Sequence, residues 1–350
     1  MKYNRLQDLP PKWAHFCLNI QNFIQHKLKI DLHKKTLLVA FSAGPDSMAL
    51  LRVMHFLRSR LKYNLIAAHL NHGLRAEARD DEQVAKITCQ KLGIPIYIGR
   101  SLVGVYAQKM GLGIEEGGRK IRYRFLQGLA RKLEADFILT AHQLDDLAED
   151  VLMRLMRGAG WPGLSGMKAF DPESKVLRPL LLTPKTKLLE FLRELDQEYV
   201  EDKSNRDMTF LRNRVRLKII PLLRQENKNI FQTIARLWEM GRIDRGFWNE
   251  QLDKIKVEAN GREIIVSNAE LAGMHKALRY RLYKKILDQL GPGQVLGDNL
   301  FQLDDAFESR RIGKRFQFPG NKIALIASQG IVFYREPKAK RLGESIETDE

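Results

Sequence analysis

Leu38-Val39-Ala40-Phe41-Ser42-Ala43-Gly44-Pro45-Asp46-Ser47 reads as the end of an apolar strand, a loop of small residues and the start of a helix. Proline suits the first helical position because its missing N–H would be unpaired there. Gly44 is expected to supply a backbone geometry that other residues resist. A helix start offers unpaired N–H groups and the positive end of the dipole to a phosphate. The hydroxyls of Ser42 and Ser47 add donors. Asp46 would repel a phosphate unless a cation stands between them, which makes it a candidate Mg²⁺ partner. The loop lacks the Gly-Lys-Ser/Thr ending of a Walker A loop, and a simple capped turn would use the same residue types.

Working outward, short apolar segments at Thr36–Phe41, Leu65–His69, Ile94–Ile98 and Phe137–Thr140 alternate with helix-length ones at Asp46–Leu61, Glu77–Leu92, Glu115–Leu133 and Asp146–Met156. That alternation predicts an α/β, Rossmann-like domain built on a parallel sheet, in which ligands bind at the carboxyl ends of the strands. A fifth strand is expected within Val176–Leu182. The pattern changes near residue 225, so the division expected is a catalytic domain over 1–225 and a smaller, mainly helical or α+β domain over 226–350. In the latter, helices at Ile230–Leu252 and Ala269–Leu290 precede short strands at Ile323–Ile326 and Ile331–Tyr334.

The chain of 350 residues carries 59 Lys+Arg against 42 Asp+Glu, a net charge of +17 that favours a polyanionic partner, most commonly nucleic acid. Clusters at Arg212–Lys218, Arg279–Lys285 and Arg310–Arg315 contribute to it. Its two cysteines, Cys17 and Cys89, form no C-x-x-C pair and fit a reducing compartment. Neither a signal peptide nor an 18-residue apolar run is legible, so a cytoplasmic protein without a membrane span is expected.

Further segments carry polar residues at strand ends: His69-Leu70-Asn71-His72-Gly73-Leu74-Arg75, Glu115-Glu116-Gly117-Gly118-Arg119 with Arg122-Tyr123, Ala141-His142-Gln143-Leu144-Asp145-Asp146-Leu147-Ala148-Glu149, Arg154 and Arg157, Arg178-Pro179-Leu180-Leu181, Glu201-Asp202 with Ser204-Asn205, and Arg212-Asn213-Arg214 with Arg216. Each alone has a plainer explanation. His69 suits a hydrogen-bonded core histidine. Asp145 and Asp146 suit a helix start, where the dipole favours acids. Arg119 suits a solvated helix face beside Glu115, and Arg212 with Arg216 suits any basic surface.

Taken together and in this order, the segments resemble the tRNA(Ile)-lysidine synthase family of the PP-loop, or N-type ATP pyrophosphatase, superfamily. The match is dense over residues 36–224 and looser over 270–335. Ala43 stands where the family's Ser-Gly-Gly-x-Asp-Ser loop usually has glycine, Gly117 and Gly118 where alanines are usual, and Asp150 where threonine is usual.

The resemblance implies ATP and Mg²⁺ as cofactors, with free L-lysine and a CAU-anticodon tRNA(Ile) as partners. The reaction implied is ligation of lysine to C2 of the wobble cytidine through an adenylated intermediate, releasing AMP and pyrophosphate. Ser42, Ala43, Gly44, Pro45, Asp46 and Ser47 are the expected nucleotide loop. Asp46, Arg119, Asp145, Asp146 and Glu149 are the expected catalytic set, with Asp46 and Asp146 the expected metal ligands. Arg154, Arg157, Arg212, Arg214 and Arg216 are expected to follow the tRNA backbone. Individual roles among the acids stay open, as does a homodimer. The alternatives are another PP-loop tRNA-modifying enzyme that thiolates, and a non-catalytic tRNA-binding descendant.

Overall fold

A computed structural model describes residues 2–73, 78–200, 207–293, 295 and 297–337. Leu74, Arg75, Glu201, Asp202, Ser204 and Asn205 of the quoted segments lie outside them. The chain divides into two compact units, Met1–Met240 and Gly241–Glu350. The division falls later than the boundary expected near 225. Ile234 and Trp238, buried in the first unit's core with Leu144, Leu147 and Val151, account for the shift.

In the first unit, α1 (Pro11–Asn22) precedes β1 (Thr36–Ala40), α2 (Pro45–Leu61), β2 (Asn64–Asn71), α3 (Ala78–Leu92), β3 (Ile96–Arg100), α4 (Val103–Lys109), α5 (Ile114–Lys132), β4 (Phe137–Leu139) and α6 (Leu144–Met156). The short strands β5 (Phe170–Asp171) and β6 (Val176–Leu177), then α7 (Lys185–Glu194), α8 (Leu211–Arg214), a π turn at Val215–Ile219 and α9 (Ile220–Glu226) follow. The sheet runs β3-β2-β1-β4-β6-β5, parallel except where β5 pairs antiparallel with β6.

Chain order reverses between β1 and β4: β2 and β3 extend the sheet on one side of β1, and β4 and β6 on the other. Such a switch point opens a crevice at the carboxyl ends of the two strands. Here it is flanked by the Ser42–Ser47 loop after β1 and by the start of α6 after β4. The apolar residues expected all round α2 are buried accordingly, with Met48, Leu50, Leu51, Val53, Met54 and Leu57 excluded from solvent. The expected strand at Val176–Leu182 stops at Leu177: Pro179 has no N–H to continue a ladder, and a turn follows in which the Leu181 N–H donates to the Arg178 carbonyl.

α10 (Ile230–Leu252) runs through the division. The second unit then contains β7 (Glu258–Asn260), β8 (Glu263–Ser267), α11 (Asn268–Ala272), α12 (Lys276–Gln289), α13 (Gly297–Glu308), β9 (Arg315–Phe318), β10 (Lys322–Ala327) and β11 (Gly330–Arg335). Its strands form an antiparallel sheet in the order β7-β8-β11-β10-β9, so the α+β part of the expectation holds. The single helix expected over Ala269–Leu290 is two, α11 and α12. Among the described residues no helix is long and apolar enough to cross a membrane.

Candidate active site

The loop after β1 is held by its own side chains. Ser42 and Ser47 bring their hydroxyls to 3.1 Å, Ser47 Oγ donates to the Gly44 carbonyl at 3.0 Å, and the Ser42 N–H donates to Ser47 Oγ at 3.2 Å. Ala43, not Gly44, is the left-handed residue: its φ is +63°, whereas Gly44 sits at an ordinary −70°. Gly44 lies beside the hydroxyl that the loop presents: a Cβ there would stand 3.4 Å from Ser42 Oγ, in van der Waals contact. The Ala43 carbonyl accepts from the Val200 N–H at 3.0 Å, and its methyl is fully buried in the main core. Pro45 opens α2, as expected.

Across the crevice, Gln143 caps α6. Its side chain accepts from the Asp145 N–H at 2.6 Å, while Asp146 Oδ2 accepts from the Gln143 N–H at 3.1 Å. Capping is thus part of what the paired acids do, but each also has a second partner. Asp146 Oδ1 accepts from Arg212 Nη2 at 2.8 Å. Asp145 Oδ2 accepts from the backbone N–H of Lys185, the first residue of α7, at 3.0 Å. Glu149, one turn on from Asp145, has no solvent exposure and accepts from Arg212 Nε at 2.6 Å and Arg216 Nε at 2.6 Å. α8 and the π turn after it deliver both guanidinium groups to this one carboxylate. Burial opposes ionisation of Arg212 and Arg216, but the attraction of Asp146 and Glu149 outweighs it and raises both pKa values.

Lys185, which the sequence did not single out, connects the two sides. Besides its N–H to Asp145, its Nζ lies 3.7 Å from Asp46 Oδ2. The other Asp46 oxygen, Oδ1, is buried and has no hydrogen-bond partner among the described residues. Burial pushes the Asp46 pKa up to about 6; the charge of Lys185 pulls it down, and Asp146 and Asp145 push it further up. Burial likewise raises Asp145, opposed by the Lys185 N–H and reinforced by Asp146 and Glu149. A cavity of about 490 Å³ opens beside these residues, its charged wall formed by Asp145, Glu149, Lys185 and Arg216 and its apolar wall by Ile220 and Phe231.

Two histidines lie near the carboxyl ends of β2 and β4. His69 Nδ1 lies 3.0 Å from the Phe41 carbonyl and ties the end of β2 to the loop, the core role its plain reading expected. His142 Nδ1 lies 2.9 Å from Thr140 Oγ1. Burial, then the charges of Arg178, Arg122, Arg212 and Arg119, hold its pKa well below the usual imidazole range, so it is neutral. Arg119 is exposed on α5 with its guanidinium 5.4 Å from the centre of the Tyr123 ring. Gly117 stands where α4 crosses α5; a Cβ there would meet the Ala107 methyl at 2.8 Å.

The five arginines expected along tRNA are not equivalent. Arg212 and Arg216 are engaged by Asp146 and Glu149. Arg154 bonds Asp150 at 2.7 Å and the Gly163 carbonyl at 3.2 Å, and Arg214 bonds the Met208 and Thr209 carbonyls. Arg157 is exposed just past the end of α6. Among the described residues no three His, Cys, Asp or Glu side chains are grouped to hold a metal. A cation here would therefore rely on phosphate oxygens and water besides Asp46. That suits Mg²⁺, which keeps several waters and takes one or two carboxylates.

Comparison with known proteins agrees with this geometry. The family model described as a PP-loop domain matches residues 14–223. A tRNA(Ile)-lysidine synthase of Nitratidesulfovibrio vulgaris is 41% identical over 86% of this chain and 92% of its own length. One of Clostridium tetani is 30% identical over 93% of this chain and 70% of its own. A solved U34-tRNA thiolase of Methanococcus maripaludis with its [4Fe-4S] cluster shares the fold, with a TM-score of 0.54 at 19% identity over 65% of this chain and 78% of its own. With a PP-loop built at the switch point of its sheet and these relatives along most of its length, the chain belongs to the tRNA(Ile)-lysidine synthase family of PP-loop enzymes.

Proposed function

We propose that this chain ligates L-lysine to C2 of the wobble cytidine of a CAU-anticodon tRNA(Ile), consuming ATP and releasing AMP and pyrophosphate. The observation that carries the reading is the pairing across one crevice of a phosphate loop, Ser42–Ser47, with the acid–arginine cluster of Asp145, Asp146, Glu149, Arg212 and Arg216. The first is suited to a nucleotide and the second to a cationic amine and a departing phosphate.

Two displacements make up the reaction. The cytidine O2 attacks the α-phosphorus of ATP and pyrophosphate leaves. The ε-amine of lysine then attacks C2, the C2–O bond breaks with AMP as leaving group, and the amine loses its protons. Ser42 and Ser47 with the first N–H groups of α2 would cradle phosphate. Asp46, with one buried oxygen unpartnered among the described residues, would hold Mg²⁺, which when bound supplies charge neutralisation on the phosphates.

Of the acids that α6 brings to the crevice, Asp146 and Glu149 take guanidinium hydrogen bonds and Asp145 takes a backbone N–H. Asp145, its pKa raised by burial, is therefore the proposed group that orients the lysine ammonium and receives its proton. Asp146 and Glu149 position Arg212 and Arg216, whose charge would stabilise the departing AMP. Arg119 would share that charge. In the second unit Arg279 is committed to Asp304 at 2.7 Å and Arg281 is stacked on Trp248, so the exposed Arg310 and Arg311 are the better candidates for a second tRNA contact.

Thiolation fits less well. Cys17 and Cys89 are fully buried, and burial pushes both thiols up to about 12, far from the thiolate that sulfur transfer requires. Product analysis separates the readings. With tRNA, ATP and Mg²⁺ but no lysine the chain should release pyrophosphate, and AMP should appear only when lysine is added. Release of ADP, or AMP formation indifferent to lysine, would overturn the proposal.

A further inference from the structure

The arginines expected to meet RNA are largely engaged inside the protein, whereas one face of α5 carries cations that are not. Arg119, Lys120, Tyr123, Arg124, Gln127 and Arg131 line a shallow groove of about 460 Å³ along that helix. All four cations are exposed. Lys120 pairs with Glu116 at 2.9 Å, but among the described residues Arg119, Arg124 and Arg131 have no carboxylate partner. Lys120 and Arg124 are one turn apart, a like-charge spacing that weakens a helix. The helix dipole favours Arg131, in the last turn, and the pair with Glu116 accounts for Lys120, but neither gives a reason for Arg124. Helix stability therefore does not explain the whole stripe. Tyr123 lies among the cations and presents a half-buried ring of the kind on which bases stack.

We infer that this face of α5 is an RNA-backbone groove that takes the phosphates of the strand flanking the nucleotide held in the crevice. The inference rests on the proposed tRNA substrate and assigns that substrate a path which the site residues do not. Arg119 marks the inner end: Tyr123, one turn on, belongs to the same apolar cluster as Ala40, the last residue of β1. Arg131 marks the outer end, about 18 Å further along at the helical rise of about 1.5 Å per residue. Polyanion binding by such a stripe is electrostatic and independent of sequence.

The test compares three forms of the full chain in tRNA filter binding across a salt series: wild type, Arg124→Glu/Arg131→Glu, and a charge-matched control, Lys91→Glu/Arg193→Glu, at exposed ends of α3 and α7. The groove variant should bind tRNA at least about tenfold more weakly. Its log–log salt slope should be shallower by about 1.4, for two single-strand phosphate contacts at about 0.7 each. The control should shift by less than about threefold, and ATP binding should hold in all three as the check of folding. If charge reversal unfolds the groove variant, Arg124→Gln/Arg131→Gln should give the same direction with a smaller shift. Equal weakening of groove and control variants, or no weakening in a wild type that binds tRNA, overturns the groove alone. A wild type that does not bind tRNA overturns the groove and the proposed function together.

Discussion

Glu149 and Arg212, 63 residues apart in sequence, are joined by a 2.6 Å hydrogen bond that fixes α8 onto α6. Arg216 closes on the same carboxylate from the other side. Removing one member of a buried charge cluster leaves the rest uncompensated, so Glu149→Gln should lower unfolding free energy by about 3 kcal/mol. Arg212→Lys should not rescue function, since a lysine cannot bridge Glu149 and Asp146 with a planar fork. Urea unfolding checks the first statement, and a loss below about 1 kcal/mol would mean the cluster is not a fixed element.

The acids of α6 should separate experimentally. Asp145→Asn removes the proposed proton acceptor but not a guanidinium partner. Turnover should fall at least about a hundredfold with stability nearly unchanged, in the range general-base removal produces. Asp146→Ala removes both a cap and an arginine partner, so it should lose at least about tenfold in turnover and about 1–2 kcal/mol of stability. Equal effects of the two substitutions on both quantities would refute the division of roles.

Ala43 holds a left-handed conformation that an L-residue adopts at a cost of about 1 kcal/mol. Its methyl is nevertheless buried, so Ala43→Gly exchanges that strain for a lost core contact. Stability should stay within about 1 kcal/mol, and ATP binding should hold or improve. A β-branched residue tolerates this φ far less, and Ala43→Val should weaken ATP binding at least about tenfold. Calorimetric titration of the two variants decides; comparable affinities would contradict the loop geometry.

Asp46 predicts a pH dependence. Its folded pKa, pushed up to about 6, lies above the unfolded value near 3.9. The folded state therefore keeps the proton longer, and the contribution of Asp46 to stability declines as pH rises from about 4 through about 6. Without nucleotide or Mg²⁺, Asp46→Asn should be more stable than wild type by on the order of 2 kcal/mol at pH 8, relative to the difference at pH 4. A stability difference that is constant between those pH values would show that the carboxylate is not held in the environment described.

Local signals carried most of the fold. Pro45 and the small loop marked the start of α2 correctly, and Ile230–Leu252 was readable as a helix from its length and periodicity. What escaped was set by tertiary contacts. Short strands such as β7 and β9 are defined by their antiparallel partners, not by their own composition, and α13 occupies a stretch between Leu290 and Ile323 for which no element was expected. At the site, the acids were legible as residue types, but their division was not, because it depends on which of them Arg212 and Arg216 reach. Lys185 was silent for the same reason: nothing near it in sequence says that α7 begins beside Asp46.

The account is tested most directly by mass spectrometry of nucleosides from CAU-anticodon tRNA(Ile) incubated with the protein, ATP, Mg²⁺ and L-lysine. The wobble cytidine should gain the mass of lysine less one water, in amounts equal to the AMP and pyrophosphate released, and should carry no lysine when any one component is omitted. An unmodified cytidine in the complete mixture, or one carrying sulfur in place of lysine, would contradict it.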